Sequence, residues 1–141
     1  MDGNGRWATQ RGLERQEGHI AGAEAVSAAV RAAAKAGVDY VTLYTFSTEN
    51  WGRPEAEINA IMELFCYMVN SQVEELVQLG VRVKIMGERT RFSDEVLEMI
   101  EHIEKLTAEG DRLTVVLAFN YSSRREMVLA AQSLAQRVAS G

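Results

Sequence analysis

Three short runs rich in β-branched and aromatic residues, Tyr40–Phe46, Val81–Met86 and Leu113–Phe119, are separated and followed by longer segments of helical periodicity. Such runs read as strands. Strands that alternate with helices are joined by crossovers, and crossovers favour a mostly parallel sheet with helices against both faces. The first and third runs are almost continuously apolar or weakly polar, the pattern of strands buried on both sides. The predicted class is α/β: a single domain, its mostly parallel β-sheet flanked by helices.

The helical segments have clear limits. Ala21 to Ala36 is alanine-rich and stops at Gly37. From Glu55 to Leu79, apolar residues including Ile58, Ile61, Met62, Phe65, Val69, Val73 and Leu76 recur at helical spacing, until Gly80. Ser93 suits the cap of a helix reaching Lys105, with Val96, Met99, Ile100 and Ile103 on one face. Ser122 or Ser123 suits the cap of a last helix carrying Met127, Val128, Ala131, Leu134 and Val138. Pro54, the sole proline, stands where the long helix should begin, a first-turn position in which an N–H is not needed. Neither a repeat nor a linker divides residues 1–141, a length that suffices for one core.

A formal charge of −5 argues against nucleic acid or another extended polyanion as a partner. Recognition of phosphate would therefore rest on a local cluster of cations and backbone donors. The single cysteine, Cys66, has no partner for an internal disulfide and reads as a buried, inert thiol. No stretch approaches the roughly 18 uninterrupted apolar residues of a membrane span. The polar, glycine-rich segment Asp2–Gly22 does not resemble a signal peptide, so a cytoplasmic protein is expected.

Three polar segments carry the candidate chemistry. Asp2-Gly3-Asn4-Gly5-Arg6-Trp7 joins a carboxylate, two glycines and a guanidinium. It is either a plain glycine turn or an anion nest, in which the glycines turn N–H groups toward one point. In the second case Arg6 adds charged donors, and Asp2 can hold a hard cation that bridges phosphate oxygens. Arg11, Arg15 and His19 follow at intervals of four and would share one side of a helical turn. Gly18 and Gly22, also four apart, admit a ligand or a second backbone. With Glu14 and Glu17 among them, these residues equally suit a solvated face. The loop Ser47-Thr48-Glu49-Asn50-Trp51-Gly52-Arg53 directly follows the first strand, and ligands of open parallel sheets bind beyond the carboxyl ends of strands. Capping of the next helix by Ser47, Thr48 or Asn50, with Trp51 as packing, is compatible with that role.

Taken in order, Asp2-Gly3-Asn4-Gly5-Arg6-Trp7-Ala8, Gly18-His19-x-x-Gly22 and Phe46-Ser47-Thr48-Glu49-Asn50-Trp51-x-Arg53-Pro54 resemble the signatures of the cis-prenyltransferases, the undecaprenyl diphosphate synthase family. Asn120-Tyr121-Ser122-Ser123-Arg124 is similar to a later family element, usually Asn-Tyr-Gly-Gly-Arg. The likeness runs through essentially the whole chain, and several motifs in the right order are far more specific than one glycine-rich motif.

The resemblance implies an enzyme that condenses isopentenyl diphosphate with an allylic diphosphate such as farnesyl diphosphate, building a polyprenyl (undecaprenyl) diphosphate lipid carrier for cell-wall precursors. It implies Mg²⁺ as cofactor, with Asp2 as the metal ligand and as a catalytic residue in ionisation of the allylic diphosphate. Gly3, Asn4, Gly5 and Arg6 would hold that diphosphate, with Arg15 and His19 alongside, against the charge developing on the leaving group. Trp7, Ser47, Thr48, Glu49, Trp51 and Arg53 would complete substrate binding. Asn50 stands at the position usually named the proton acceptor. A neutral amide is a very weak base, so Asn50 is expected to orient isopentenyl diphosphate while a diphosphate oxygen takes the proton. A homodimer is implied for the full-length protein, and a lipid product that brings it to the membrane surface. An apolar cavity is needed for the growing chain. Leu64, Phe65 and Met68, with the Leu113–Phe119 strand opposite, are candidates for its walls, although most of that stripe reads as core.

Two family elements are not found in these 141 residues. One is a strand ahead of the Asp-Gly-Asn-Gly-Arg element; the other is a later segment with an Arg-x-Ser-Gly-type motif, a further arginine and a metal-binding glutamate. The expectation is therefore an incomplete version of the fold with an exposed sheet edge and weak or no turnover of its own. The Ser122-Ser123 pair, where glycines are usual, leaves the local loop geometry open. An accessory subunit of a heteromeric prenyltransferase is the alternative, but such subunits lose the front motif and keep the distal one, the reverse of this chain. A P-loop nucleotide site is excluded by the absence of Gly-x-x-x-x-Gly-Lys-Ser/Thr.

Overall fold

The computed structural model describes residues 2–141. A short helix α1 (Asn4–Thr9) is followed by α2 (Arg15–Ala36), β1 (Tyr40–Ser47), a 3-10 turn (Thr48–Gly52) and α3 (Glu55–Gln78). Then come β2 (Val81–Met86), α4 (Asp94–Leu106), β3 (Leu113–Tyr121) and α5 (Ser123–Ala139). All three expected strands form, and they make one parallel sheet in the order β1-β3-β2.

The helix boundaries follow local chemistry. Gly37 ends α2 at φ 75°, a left-handed angle that glycine adopts without a steric penalty. Ser93 caps α4, its hydroxyl accepting the Val96 N–H at 3.4 Å. Pro54 lies just outside α3 as its cap residue, and its carbonyl accepts the N–H groups of Glu57 and Ile58. The second helix begins at Arg15 rather than within the alanine-rich run, which places Arg15, Gly18, His19 and Gly22 on one helix.

One face of the sheet carries the core. Leu43 of β1, Val81 and Val83 of β2, and Leu113 and Val115 of β3 pack against Val30 and Ala34 of α2, Val69 and Val73 of α3, and Ile103 of α4. A second cluster, nearer the strand carboxyl ends, joins Phe46 and Phe119 to Cys66, Val96 and Ile100. Burying each such Val, Leu, Ile or Phe contributes roughly 1.5–3 kcal/mol. Burial pushes the Cys66 thiol above its ordinary pKa, in keeping with an inert packing role. The outer edge of β2 is covered by α4: the Val83 N–H donates to Thr107 Oγ1 at 3.0 Å, and the Ile85 N–H to Glu104 Oε1 at 2.8 Å.

Coverage on both faces does not occur among the described residues. Helices α2, α3 and α4 all lie on the same side, and α5 has no buried residue. Strand β1 is therefore an edge strand with Tyr40, Thr42 and Tyr44 exposed, not the doubly buried strand its apolar sequence suggests. The apolar residues Met127, Val128, Leu134 and Val138 of α5 are likewise exposed. Ser122 stands at the start of α5 without a side-chain cap; its hydroxyl instead donates to Glu49 Oε1 at 3.4 Å.

Candidate active site

Beyond the carboxyl end of β1, a cavity of about 490 Å³ opens between α1, α2 and α3. Its size is ordinary for a ligand site. The rim is polar, formed by Asp2, Gly3, Asn4, Gly5, Arg6, Arg15, His19, Ser47, Asn50 and Arg53. The floor is apolar, with Ile61, Leu64, Phe65 and Met68 of α3 facing Leu117 and Phe119 of β3. A smaller cavity of about 100 Å³ shares Val26, Phe65, Met68 and Leu117 with the first and continues the apolar path between α2, α3 and the sheet. The two walls read from the sequence thus meet at one space.

The rim depends on close packing of α1 on α2. A Cβ on Gly18 would stand 2.0 Å from the Asn4 carbonyl oxygen, and one on Gly22 2.4 Å from Asn4 Nδ2. Of the two partners considered for these glycines, a ligand or a backbone, the structure supplies a backbone at Gly18; at Gly22, which also lines the cavity, the close neighbour is the Asn4 side chain. Gly5 serves similarly, since a Cβ there would stand 2.7 Å from Arg15 Cζ. An anion nest made by both glycines of the first motif does not form. Only Gly3 is left-handed, at φ 83°, while Gly5 is helical, and the Gly3 N–H donates to Asp2 Oδ1 at 2.6 Å. Arg6 lies on the rim beside Asp2, Nη2 to Oδ2 at 3.5 Å.

Arg15 and His19 stand one turn apart on α2 and meet Arg53 at a residue the motifs did not single out, Glu57. Its Oε1 lies 3.4 Å from Arg15 Nη2, 3.3 Å from His19 Nε2 and 3.1 Å from Arg53 Nη1. Burial opposes ionisation of this carboxyl, but the His19 hydrogen bond and the Arg15 and Arg53 charges outweigh it, so its pKa lies below the usual range. The four-residue spacing from Arg53 to Glu57 on a helix start was the available sequence signal. Arg11 does not join this group; it lies in the turn after α1, its guanidinium 4.3 Å from the Trp7 ring centroid.

The loop after β1 is shaped by a register shift at Tyr44–Phe46, which turns Phe46 into the core while Thr45 borders the cavity. Asn50 spends its side-chain carbonyl on the Ser47 N–H at 3.0 Å, closing the 3-10 turn on itself. Its remaining polar group at the rim is an NH2, a donor. Trp7, Thr48, Glu49 and Trp51 lie outside the cavity lining. Glu49 holds the Thr48 and Ser122 hydroxyls at 3.4 Å each. Its carboxyl is lowered first by its own backbone N–H and then by the Ser47 hydroxyl. Trp51 packs edge-on to Phe46 and donates its indole N–H to Asn120 Oδ1 at 2.8 Å. Asn120, at φ 55°, also donates to the carbonyls of Glu88 and Thr90, so it ties this loop to the one after β2. The left-handed residue of the last motif is therefore Asn120; Ser122 is extended and Ser123 helical.

The rim suits Mg²⁺ only in a particular way. Among the described residues no three His, Cys, Asp or Glu side chains converge. Asp2 is a lone carboxylate, its side chain 99% exposed. A single carboxylate fits a Mg²⁺ that keeps several waters and shares its remaining positions with phosphate oxygens, rather than one held in a protein cage.

The parallel sheet thus carries at its strand ends a cationic rim over an apolar cavity, and the chain belongs to the prenyltransferase family: a family model described as putative undecaprenyl diphosphate synthase matches residues 1–141. The relatives give the family its particulars. An isoprenyl transferase of Agrobacterium fabrum is 47% identical over all 141 residues, which span 57% of that relative. A ditrans,polycis-undecaprenyl-diphosphate synthase ((2E,6E)-farnesyl-diphosphate specific) of Haemophilus ducreyi is 46% identical over the same 141 residues, 58% of its length. Among solved structures, lavandulyl diphosphate synthase from Lavandula x intermedia, in complex with dimethylallyl diphosphate, superposes with a TM-score of 0.95 at 28% identity. That match covers all of this chain and 61% of the other. No described helix is long and apolar enough to cross a membrane.

Proposed function

We propose that this chain contributes the allylic-diphosphate side of cis-prenyl chain elongation, with farnesyl diphosphate or a similar allylic diphosphate as primer. One observation carries the reading: Arg6, Arg15, His19 and Arg53 ring the mouth of a single cavity whose floor is apolar. Such a shape suits an anionic head on a long hydrocarbon. In the reaction the allylic C–O bond breaks and diphosphate departs with its electrons. The allylic carbon then bonds to the terminal methylene carbon of isopentenyl diphosphate, and loss of a proton leaves a cis double bond. The product assigned is a polyprenyl diphosphate of the undecaprenyl type.

Arg6, Arg15 and Arg53 stabilise the charge that develops on the departing diphosphate. Asp2 would hold Mg²⁺ together with diphosphate oxygens, and the ion when bound would neutralise part of that charge. Asn50, with its carbonyl occupied, donates from its NH2 to isopentenyl diphosphate, and a diphosphate oxygen takes the proton. The cations at this rim suffice for one diphosphate. Binding without efficient turnover is therefore expected of these 141 residues alone, and a homodimer is proposed for the full-length protein.

The test is displacement of bound farnesyl diphosphate. Inorganic diphosphate should compete and a nucleoside triphosphate should not; equal displacement by the nucleotide would overturn the reading. Incorporation of radiolabelled isopentenyl diphosphate, with farnesyl diphosphate and Mg²⁺ present, should be slight, and robust elongation would refute the limit placed on turnover.

A further inference from the structure

We infer that Glu57 is a positioning residue, an internal counter-anion that keeps Arg15, His19 and Arg53 assembled at the cavity mouth before a diphosphate arrives. The inference rests on the function proposed above and adds a residue that none of the motifs contains. Three nitrogen atoms, two from α2 and one from the loop just ahead of α3, lie within 3.4 Å of one carboxylate oxygen. Two of them belong to permanently charged guanidinium groups, which repel each other at such separations unless an anion stands between them. The Glu57 side chain is only 13% exposed, so water screens this group poorly.

Arg15 also lies against α1. Its guanidinium occupies the space that a side chain on Gly5 would need, so it is held between α1 and the Glu57 carboxylate. Glu57 is thus the point where α1, α2 and α3 are brought into one rim. It does not itself line the cavity, which Arg15, His19 and Arg53 do. Its effect on a ligand passes through those three side chains.

The experiment compares farnesyl diphosphate with farnesol, which has the same hydrocarbon but no diphosphate. Binding of each is followed by tryptophan fluorescence in the wild-type chain and in Glu57→Gln, which keeps the shape and removes the charge. The expected result is a loss of about ten-fold or more in affinity for farnesyl diphosphate, the scale of one charge-assisted hydrogen bond, with farnesol affinity unchanged. A smaller loss for farnesyl diphosphate, or a parallel loss for farnesol, overturns the assignment; a parallel loss would mark Glu57 as structural. Should Glu57→Gln fail to fold, Glu57→Asp, which withdraws the charge by one methylene, is expected to show the same selective loss, and a non-selective result overturns the inference. A wild-type chain that does not prefer farnesyl diphosphate to farnesol would refute the proposed function itself, and the inference with it.

Discussion

Single residues at this rim act mainly by how closely they let other groups approach. Alanine in place of a helical glycine ordinarily stabilises by roughly 0.5–1 kcal/mol. At Gly18 the sign should reverse, because the new methyl would lie 2.0 Å from the Asn4 carbonyl and α1 would have to move. Gly18→Ala is expected to cost about 1–3 kcal/mol in a denaturant melt. It should also weaken binding of inorganic diphosphate, since α1 carries Arg6 and Asp2 lies just ahead of it. Stabilisation by Gly18→Ala would show that the two helices are not packed as described. Asn50 offers a sharper chemical test. Because its carbonyl already accepts the Ser47 N–H, Asn50→Asp in a full-length relative should lower the elongation rate. The rate should not climb as pH passes through the carboxylate range; such a rise would establish true base catalysis at this position.

What the residues disclosed by spacing alone is uneven for physical reasons. Arg15 and His19 could be placed together because four residues make nearly one helical turn. Arg11 sits at the same interval yet falls away, because Gln10–Gly12 form a turn between two helices. Glu57 lies 42 residues from Arg15 and 38 from His19, and only the folding of α3 over α2 brings them together. Position in sequence carries no trace of that meeting except the Arg53–Glu57 interval.

At the scale of elements, the strands and the amphipathic helix α4 were legible because their apolar residues follow one period and are buried accordingly. Burial of Val96, Ile100 and Ile103 on α4 is an example. Strand β1 shows where composition misleads: tyrosine and threonine favour a pleated strand whether or not both faces are covered. The apolar residues of α5 raise the opposite problem, since their periodicity promises a packing surface that no described residue provides. The contacts that tie α5 down are exposed: Arg125 with Glu88 at 3.0 Å, and the Tyr121 hydroxyl with Glu126, which raises the tyrosine to about 12. Such exposed contacts, screened by water, add little to stability. Deleting residues 123–141 is therefore expected to leave the thermal midpoint within a few degrees of the intact chain by circular dichroism. A collapse of the melt would mean that α5 packs where no contact is described.

At the scale of the molecule, β3 lies between β1 and β2 although it follows both in the chain. A ribosome releases the polypeptide from its amino end, at about 5–20 residues per second. The strand that must bridge the other two therefore emerges after them. Until Tyr121 has cleared the exit tunnel, β1 and β2 have no shared neighbour, and the faces of α2, α3 and α4 have only part of their sheet to close on. Protease resistance of arrested nascent chains should accordingly appear in one step, once β3 is outside, and not in two steps as each helix emerges. The rim residues from Asp2 to Arg53 are thus synthesised before the strand whose Leu117 and Phe119 complete the apolar floor beneath them.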